Sequence, residues 1–256
     1  MIIEVRDLER RYARRNVHAL RGVSFDVDAG QRFGIVGESG SGKSTLVRLL
    51  AALDRPTAGT VSFRGRRIDQ LPERKLGFLR SELQIVFQDP MGSLDPRMRV
   101  RDIISEPLGR RDSARVAELL EAVGLPADAG GRYPHQFSGG QRQRISIARA
   151  LAPRPSVLIA DEPVSALDVS VRGQILDLLD SLVREFSLTL VLVSHDLGVV
   201  RHVCERVAVM RRGEIVELGD VEEVYEAPKH EYTRELLAAA PSLRAALARL
   251  SGEDDA

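Results

Sequence analysis

The stretch "GESGSGKS", residues 37–44, constrains the fold more than any other part of this sequence. It fits the pattern G-x-x-x-x-G-K-[S/T] and lies between an apolar segment, "RFGIV", and an amphipathic run, "KSTLVRLLAAL". A strand, a glycine-rich turn and a helix in this order build a loop whose backbone N–H groups wrap phosphate groups. The alternative is a glycine-rich turn that matches the pattern by chance. Such a turn would not need a strand before it and a helix after it. The residues expected to hold the phosphates and their counter-ion are Gly37, Glu38, Ser39, Gly40, Ser41, Gly42, Lys43, Ser44 and Thr45.

Two side chains of this loop have a specific chemistry. Lys43 places a cation on the β- and γ-phosphates of a nucleotide, and the Ser44 hydroxyl can ligate Mg²⁺. The run that follows predicts a helix with one apolar face. That face is formed by Leu46, Leu49, Leu50 and Leu53.

The composition excludes several classes of protein. Lys plus Arg equals Asp plus Glu at 37 each, so no overall field attracts nucleic acid. Tryptophan is absent and only 4% of residues are aromatic, which argues against base stacking. Cys204 is the single cysteine, which excludes an intramolecular disulfide and a cysteine-built metal site and favours a place in the core. Apolar runs such as "VLIA" are strand-sized, and the start "MIIEVRDLERRY" lacks the pattern of a signal peptide, so we expect a soluble protein in a reducing compartment.

Three kinds of pattern follow one another along the chain. Short β-rich runs such as "VSFDV" come first, and a turn-rich segment with the amphipathic run "DSARVAELLEAVGL" comes second, with Asp112 or Ser113 as its N-cap and Gly124 near its end. Apolar runs then alternate with helical ones, which is typical of a mostly parallel sheet covered on both faces. The expected fold is α/β: a mostly parallel core sheet, an N-terminal antiparallel β subdomain and an inserted helical subdomain. The expected boundaries are 1–88 and 156–220 for the catalytic core with the β subdomain, 89–155 for the helical subdomain and 221–256 for a C-terminal helical extension.

Polar side chains follow three apolar runs, where buried strands are predicted to end. "SVLIADE" ends in Asp161 and Glu162, "LTLVLVSHD" in His195 and Asp196, and "LQIVF" is followed by Gln88. Ligands of open α/β sheets bind at the carboxyl ends of the strands. We therefore expect Asp161 near Mg²⁺, Glu162 beside the water that attacks the γ-phosphate, and His195 at that phosphate. The alternative is that these groups only end their strands in solvent, and Gln88 or His195 taken alone would not decide between the two.

The stretch "FSGGQRQRISIARAL", residues 137–151, predicts a second anion site. Its serine and glycines begin a helix whose first N–H groups are free and whose dipole favours negative charge. This site is far along the chain from the first one, so the sequence raises the question why two are needed.

Tyr12 lies in "ERRYARRN", before the first long predicted strand, where its ring can stack on a purine. The arginines around it favour a solvated surface over a nucleic-acid patch.

Five elements in one order resemble the nucleotide-binding subunit of ATP-binding cassette (ABC) transporters: "GESGSGKS", Gln88, "FSGGQ", "ADEPVSALD" and "SHD". The similarity runs from the first residues to about residue 240, and "SGGQ" ahead of the carboxylate strand separates this family from other phosphate-loop proteins. In this family two subunits dimerise head to tail, and each ATP lies between the phosphate loop of one and the "SGGQ" helix of the other. The resemblance thus implies that the second anion site serves the partner's ATP. Its residues are Ser138, Gly139, Gly140 and Gln141.

The resemblance also implies a role for each remaining residue, with ATP and Mg²⁺ as the bound groups. The implied roles are adenine stacking for Tyr12, the Q-loop glutamine for Gln88, the Mg²⁺-associated aspartate for Asp161, the catalytic base for Glu162, the D-loop aspartate for Asp168 and the switch histidine for His195. The implied metal ligands are Ser44, Gln88 and Asp161.

A narrower resemblance is to the peptide/nickel importer subfamily, through "QDPMGSLDPRMRV", "DEPVSALDVSVRGQILDLL" and "APKHEYTRELLAAAP". The last motif usually reads His-Pro-Tyr-Thr, and here Glu231 replaces the proline. The alternative is an ABC ATPase of a non-import mechanical complex, of the divisome or lipoprotein-release type. A GTPase would need an Asn-Lys-x-Asp segment, which the sequence lacks, and a small-molecule kinase would have no use for the "SGGQ" helix.

The importer hypothesis implies the partners and the location. The partners are a second ABC ATPase subunit, identical or related, two integral membrane permease subunits and, indirectly, an extracytoplasmic solute-binding protein, with no nucleic acid. The protein would lie at the cytoplasmic face of the cell membrane, bound through the permeases. The final stretch "SLRAALARL" predicts either a docking helix or a frayed terminus.

Overall fold

The computed structural model describes residues 1–13 and 16–239. The strands in this part of the chain are β1 (Ile3–Tyr12), β2 (Val17–Val27), β3 (Arg32–Val36), β4 (Ala58–Phe63), β5 (Arg66–Arg67), β6 (Leu83–Val86), β7 (Val157–Asp161), β8 (Thr189–Ser194), β9 (Arg206–Arg211) and β10 (Glu214–Asp220). The α-helices are α1 (Lys43–Leu50), α2 (Gly77–Glu82), α3 (Pro90–Ser93), α4 (Val100–Ser105), α5 (Ser113–Ala122), α6 (Gly139–Leu151), α7 (Val169–Glu185), α8 (Leu197–Val203), α9 (Val221–Glu226) and α10 (Glu231–Ala239). Single 3₁₀ turns span Glu73–Lys75, Glu106–Leu108, Ala127–Gly131 and Pro134–Gln136. The helix predicted at 242–250 lies outside the described residues.

The N-terminal strands form an antiparallel sheet of order β2-β1-β4-β5. Ile3 of β1 pairs with Val27 of β2 on one side and with Phe63 of β4 on the other. Phe25 of β2 stacks on Phe33 of β3, with 5.1 Å between the ring centroids, and so joins this sheet to the next layer. The predicted antiparallel β subdomain is confirmed.

The second sheet has the order β10-β9-β3-β8-β7-β6. All neighbours from β9 to β6 pair in parallel, and only β10 runs antiparallel to β9, at one edge. Parallel neighbours need long connections, and α7 provides one between β7 and β8. The predicted mostly parallel sheet is confirmed.

The strand β8 shows how the two layers share this sheet. Successive side chains of a strand point to opposite faces. Leu190 and Leu192 join the core under the helical segment, whereas Val191 and Val193 join the core under α1 and the antiparallel sheet. All four are fully buried, so the strand reads as a continuous apolar run in the sequence.

The helix α1 ends earlier than the leucine pattern predicts. The N–H of Ala52 donates to the carbonyl of Leu49 and that of Leu53 to the carbonyl of Arg48, with Ala52 at a φ of +50°. These two bonds and the left-handed residue form a Schellman motif, which closes the helix after Leu50. The prediction that Leu53 belongs to the apolar face is therefore wrong: it lies beyond the helix and is 54% exposed.

The segment between β6 and β7 holds the helices α3 to α6. Asp112 is the N-cap of α5, since its carboxylate accepts from the N–H of Arg115 at 3.0 Å, and Gly124 ends the helix with a φ of +69°. The side chain of Arg115 is buried and donates to the carbonyl of Leu151 at 2.7 Å, at the last turn of α6. The helix α5 therefore satisfies a carbonyl that the end of α6 would leave unpaired.

Candidate functional site

Four neighbouring strands end at the same edge of the parallel sheet. Val36, the last residue of β3, pairs with Ser194, the last residue of β8. In the same way Ala160 of β7 pairs with Val86, the last residue of β6. The residues that follow these strands emerge together at this edge. They are the loop at 37–42, Gln88, Glu162 and His195.

The loop at 37–42 is packed closely against other backbone. A methyl group on Gly37 would lie 2.2 Å from the carbonyl oxygen of Met210. Gly42 has a φ of +108°, and a methyl group there would lie 2.6 Å from the carbonyl oxygen of Ala19. The close packing against β9 and β2 therefore requires glycine at both positions, and their contact with phosphate groups stays a prediction.

Lys43 begins α1 and is 5% exposed. Its Nζ donates to the carbonyl oxygens of Gly37 at 2.6 Å and Glu38 at 2.9 Å, and it lies 3.9 Å from Oε1 of Glu162. Burial lowers the pKa of Lys43, and the nearby carboxylates of Glu162 and Asp161 oppose that shift. The ammonium group is thus held between the loop and the end of β7.

The two carboxylates that end β7 have different surroundings. Burial raises the pKa of Asp161, and the charge of Glu162 raises it further. Glu162 contacts two other predicted site residues, since its Oε2 lies 3.2 Å from Nδ1 of His195 and its Oε1 faces Lys43. The structure therefore brings Lys43, Glu162 and His195 into one contact set.

Glu162 adopts a left-handed backbone conformation, with a φ of +48°. Such a conformation is unfavourable for a residue with a side chain and persists when the surroundings fix it. The N–H of Glu162 donates to the carbonyl of Val193 at 2.9 Å, and the hydroxyl of Ser165 donates to the carbonyl of Glu162 at 3.1 Å. The left-handed residue ends β7 after Asp161, and these two hydrogen bonds fix the turn that follows.

Two residues that hold this turn were missed by the sequence analysis. Besides the hydroxyl of Ser165, the guanidinium of Arg172 donates to the carbonyl of Leu167 at 2.8 Å. Polar side chains within "VSALDVSVR" are the signal that could have identified them. They fix the segment that leads to Asp168, which is exposed at the start of α7.

The other strand-end residues have separate surroundings. The carboxylate of Asp196 accepts from the N–H of Gly198 at 2.8 Å and caps α8, so its role is structural. Ser44 and Gln88 are exposed at the edge described above. Their assignment to a metal stays a prediction.

Tyr12 is the last residue of β1 and not a residue ahead of the first strand. Its hydroxyl donates to Asp54 at 2.8 Å, and the guanidinium of Arg10 lies 4.5 Å from the ring centroid. Arg10 also binds Asp54 with two nitrogens. The ring is therefore fixed in place, and its assignment to adenine stacking stays a prediction.

The helix α6 begins with a capping box. The N–H of Gln141 donates to the hydroxyl of Ser138 at 3.3 Å, and the N–H of Ser138 donates to the side chain of Gln141 at 3.0 Å. A methyl group on Gly140 would lie 2.6 Å from Cγ1 of Val171, and one on Gly139 would lie 3.4 Å from Leu167. The start of α6 thus bonds to itself through the capping box and packs against Leu167 and Val171, at the start of α7.

The residues at the edge fit a nucleotide with a divalent cation. The hydroxyl of Ser41 is buried and has no hydrogen-bond partner among the described residues, which is what a donor to a phosphate requires. The carboxylate of Asp161 is half-buried, and a cation would stabilise its charge. Among the described residues, no cluster of three His, Cys, Asp or Glu side chains forms a metal site made by protein ligands alone.

A sequence-family model described as "ABC transporter" matches residues 20–165, which is more than half of the chain. The chain belongs to the ABC transporter family. The resemblance stated from its motifs is thereby confirmed.

Relatives within this family include import proteins. The chain is 54% identical over 234 residues to the glutathione import ATP-binding protein GsiA of Escherichia coli (strain K12), a match that covers 89% of this chain and 38% of the relative. It is 51% identical over 256 residues to the protein of the same name from Shigella dysenteriae serotype 1, with coverage of 94% and 41%. The chain thus spans about two fifths of the length of the curated relatives that it matches.

Solved ABC cassettes share the fold. The dimeric structure of the ATP-binding cassette MJ0796 in a post-hydrolysis state, bound to ADP and Pi, has a TM-score of 0.77 and 31% identity, and covers 86% of this chain and 99% of that one. The structure of cbiO1 from Clostridium perfringens, part of the transporter complex cbiONQ, has a TM-score of 0.81 and 29% identity, with coverage of 96% and 98%. The ABC ATPase fold is confirmed, and ATP is the nucleotide of this family. No α-helix within residues 1–13 and 16–239 has the length and apolarity needed to span a bilayer.

Proposed function

We propose that this protein is the ATP-hydrolysing subunit of an ABC importer for peptides or a related small solute. The observation that carries the hydrolytic part is the contact set of Lys43, Glu162 and His195 at the edge where four strands end. The import part is supported by 54% identity to a glutathione import protein, glutathione being a small peptide, and by the "HEYTRELL" tail.

The chain's own residues would divide the work as follows. Lys43 places its ammonium on the terminal phosphates, and Glu162 orients the attacking water and accepts its proton. His195, hydrogen-bonded to Glu162, fixes the direction of that carboxylate and can donate to the γ-phosphate. Ser44, Gln88 and Asp161 would hold Mg²⁺, which neutralises charge on the phosphate oxygens when bound.

The start of α6 would complete the site of a second subunit, identical or related. Its glycine N–H groups and helix dipole favour an anion. A cassette similar to this chain is described as dimeric. The further proposed partners are two permease subunits and a solute-binding protein, which would hold this subunit at the cytoplasmic face of the membrane.

Mixing two inactive variants tests the composite site. Lys43→Ala removes the cation, and Gly139→Asp places a carboxylate against the phosphates, so each homodimer carries its lesion in both sites. In a head-to-tail mixed dimer one site has both lesions and the other has none, and we expect the mixture to regain ATP hydrolysis. If each chain used its own helix, every site would keep a lesion and no activity would return. If the natural dimer is heteromeric, the lesions are placed on the two different chains.

Reconstitution in vesicles with the permeases tests import against the alternative, an ABC ATPase of a non-import mechanical complex. We expect a labelled small peptide to accumulate only with ATP and the loaded solute-binding protein. Hydrolysis without solute accumulation would favour the mechanical complex.

A further inference from the structure

The C-terminal helix α10 contacts the phosphate loop through one hydroxyl group. The N–H of Glu38 donates to the hydroxyl oxygen of Tyr232 at 3.0 Å. Tyr232 is 2% exposed, and the guanidinium of Arg211 lies 4.6 Å from its ring centroid. Tyr232, near the end of the described residues, thus contacts the loop whose carbonyl groups bind the Lys43 ammonium.

The position of Tyr232 is fixed by a buried carboxylate on β10. Glu217 accepts from the N–H groups of Lys229 at 2.8 Å and His230 at 3.1 Å, and from the hydroxyl of Thr233. Thr233 is fully buried, and Glu217 is 9% exposed. These bonds set the first turn of α10, and with it the direction of the tyrosine side chain.

The Tyr232 hydroxyl binds the peptide group that joins Gly37 to Glu38. The N–H of Glu38 and the carbonyl of Gly37 belong to the same planar trans peptide unit, so they point in opposite directions. That carbonyl accepts from Nζ of Lys43 at 2.6 Å. The peptide plane is therefore held on one side by Tyr232 and on the other by Lys43. Burial raises the pKa of Tyr232, so the hydroxyl is protonated at neutral pH.

We propose that Tyr232 is a positioning residue for nucleotide binding: its hydroxyl fixes the Gly37–Glu38 peptide plane so that the Gly37 carbonyl holds the Lys43 ammonium in the loop. This inference rests on the proposed nucleotide-binding function of the loop. It gives the "HEYTRELL" tail a role inside the ATP site of its own chain.

Tyr232→Phe tests the proposal, because it removes the hydroxyl and keeps the ring. The probe is MgADP, measured by titration calorimetry with the full chain. We expect its dissociation constant to rise about fivefold, which corresponds to about 1 kcal/mol. Hydrogen exchange at the Glu38 amide should accelerate, because this N–H loses its acceptor. A general loss of packing at α10 would not accelerate exchange at this one amide selectively.

Two controls separate positioning from stability. Thr233→Val removes one of the three bonds to Glu217, while the N–H groups of Lys229 and His230 still hold the first turn of α10 and the direction of Tyr232. We therefore expect a lower unfolding temperature with an unchanged MgADP dissociation constant. Tyr225→Phe removes the same group from α9, where it faces Arg201 and not the phosphate loop, and should leave the MgADP dissociation constant and Glu38 exchange unchanged.

The outcomes are distinct. A wild-type protein that binds no MgADP would overturn the proposed function of the loop. If wild type binds but Tyr232→Phe binds equally well, or leaves Glu38 exchange unchanged, the positioning role is wrong. The same holds if Thr233→Val weakens binding in proportion to its loss of stability.

Discussion

Nδ1 of His195 lies 3.2 Å from Oε2 of Glu162, so the ends of two neighbouring strands meet in one polar contact. The other carboxylate oxygen of Glu162 faces Nζ of Lys43 at 3.9 Å. Since β7 and β8 are paired in parallel, with Asp161 opposite Val193, this contact is set by the register of the sheet. Glu162 is therefore placed by backbone pairing, and its neighbours determine where its carboxylate points.

We expect Glu162→Gln to lose turnover by about 10²- to 10⁴-fold, the usual contribution of a positioned base. Nucleotide binding should remain, because Lys43 and the loop are unchanged. The measurements are steady-state ATP hydrolysis and size-exclusion chromatography, on which the variant should accumulate as an ATP-bound dimer. Glu214→Gln, a change at an exposed carboxylate of β10, is the matched control and should hydrolyse ATP normally. Undiminished hydrolysis by Glu162→Gln would remove this residue from its proposed role.

Gly140→Ala should disturb the start of α6 for a packing reason. The added methyl would lie 2.6 Å from Cγ1 of Val171, and a β-branched side chain inside a helix has little rotamer freedom to move away. We expect a loss of about 1–3 kcal/mol in unfolding free energy, measured with denaturant.

The variant Val171→Ala should restore most of that loss in combination with Gly140→Ala, because it removes the clashing methyl. Gly139→Ala is the control, since its methyl would meet Leu167 at an ordinary 3.4 Å. Equal losses at the two glycines would show that packing against Val171 is not the cause.

Charge reversal at Arg97 should uncouple transport from hydrolysis if the segment 89–110, which contains α3 and α4, contacts a helix of a permease subunit. Arg97 is exposed, whereas Arg99 also donates to the carbonyl of Gly131 at 3.1 Å and so supports the helical segment itself. Arg97→Glu is therefore the cleaner variant, and Arg99→Glu should in addition lower the unfolding temperature. A parallel fall of transport and ATPase activity in Arg97→Glu would contradict the coupling role.

The sequence predicted the main elements because each has a strong local signal. The buried strand β8 is a continuous apolar run, and the phosphate loop needs glycines at fixed positions. The predicted helix α1 was too long by its last turn, because the leucine spacing continues through Ala52 and gives no sign of the left-handed residue there. Glycine is the usual signal for such an end, as at Gly124, and α1 lacks it.

Long-range contacts could not be predicted from one sequence. The bond between Tyr232 and the N–H of Glu38 joins residues 194 positions apart, and the capture of the Leu151 carbonyl by Arg115 joins two different helices. Neither of these hydrogen bonds leaves a periodic or local pattern in the sequence. The clustering of Glu162 and His195 was predictable only because the carboxyl ends of parallel strands share an edge.

Cys204 should be inert in the folded protein. It is buried, and burial raises the pKa of its thiol, so little thiolate forms at neutral or mildly alkaline pH. We expect a thiol reagent such as DTNB to react slowly with the native protein at pH 8 and fully after denaturation. Cys204→Ser should keep ATPase activity and cost about 1–3 kcal/mol in unfolding free energy, since it places a hydroxyl in an apolar site. Rapid labelling of the native protein would contradict this placement.

The anchor of α10 should weaken in acid. Burial alone would raise the pKa of Glu217, but its bonds to Lys229, His230 and Thr233 outweigh that effect and hold the pKa below its ordinary value. A carboxyl group whose pKa is lower in the folded state stabilises the fold above the unfolded pKa of about 4.3, and this contribution is lost as the pH falls through the folded value. Glu217→Gln presents an amide to two N–H donors, so we expect it to lose about 1–3 kcal/mol in unfolding free energy at pH 7. Denaturant unfolding of wild type and variant from pH 7 to pH 3 should show a gap that shrinks below about pH 4.3. A gap that stays constant over this range would mean that the charge of Glu217 does not hold the helix.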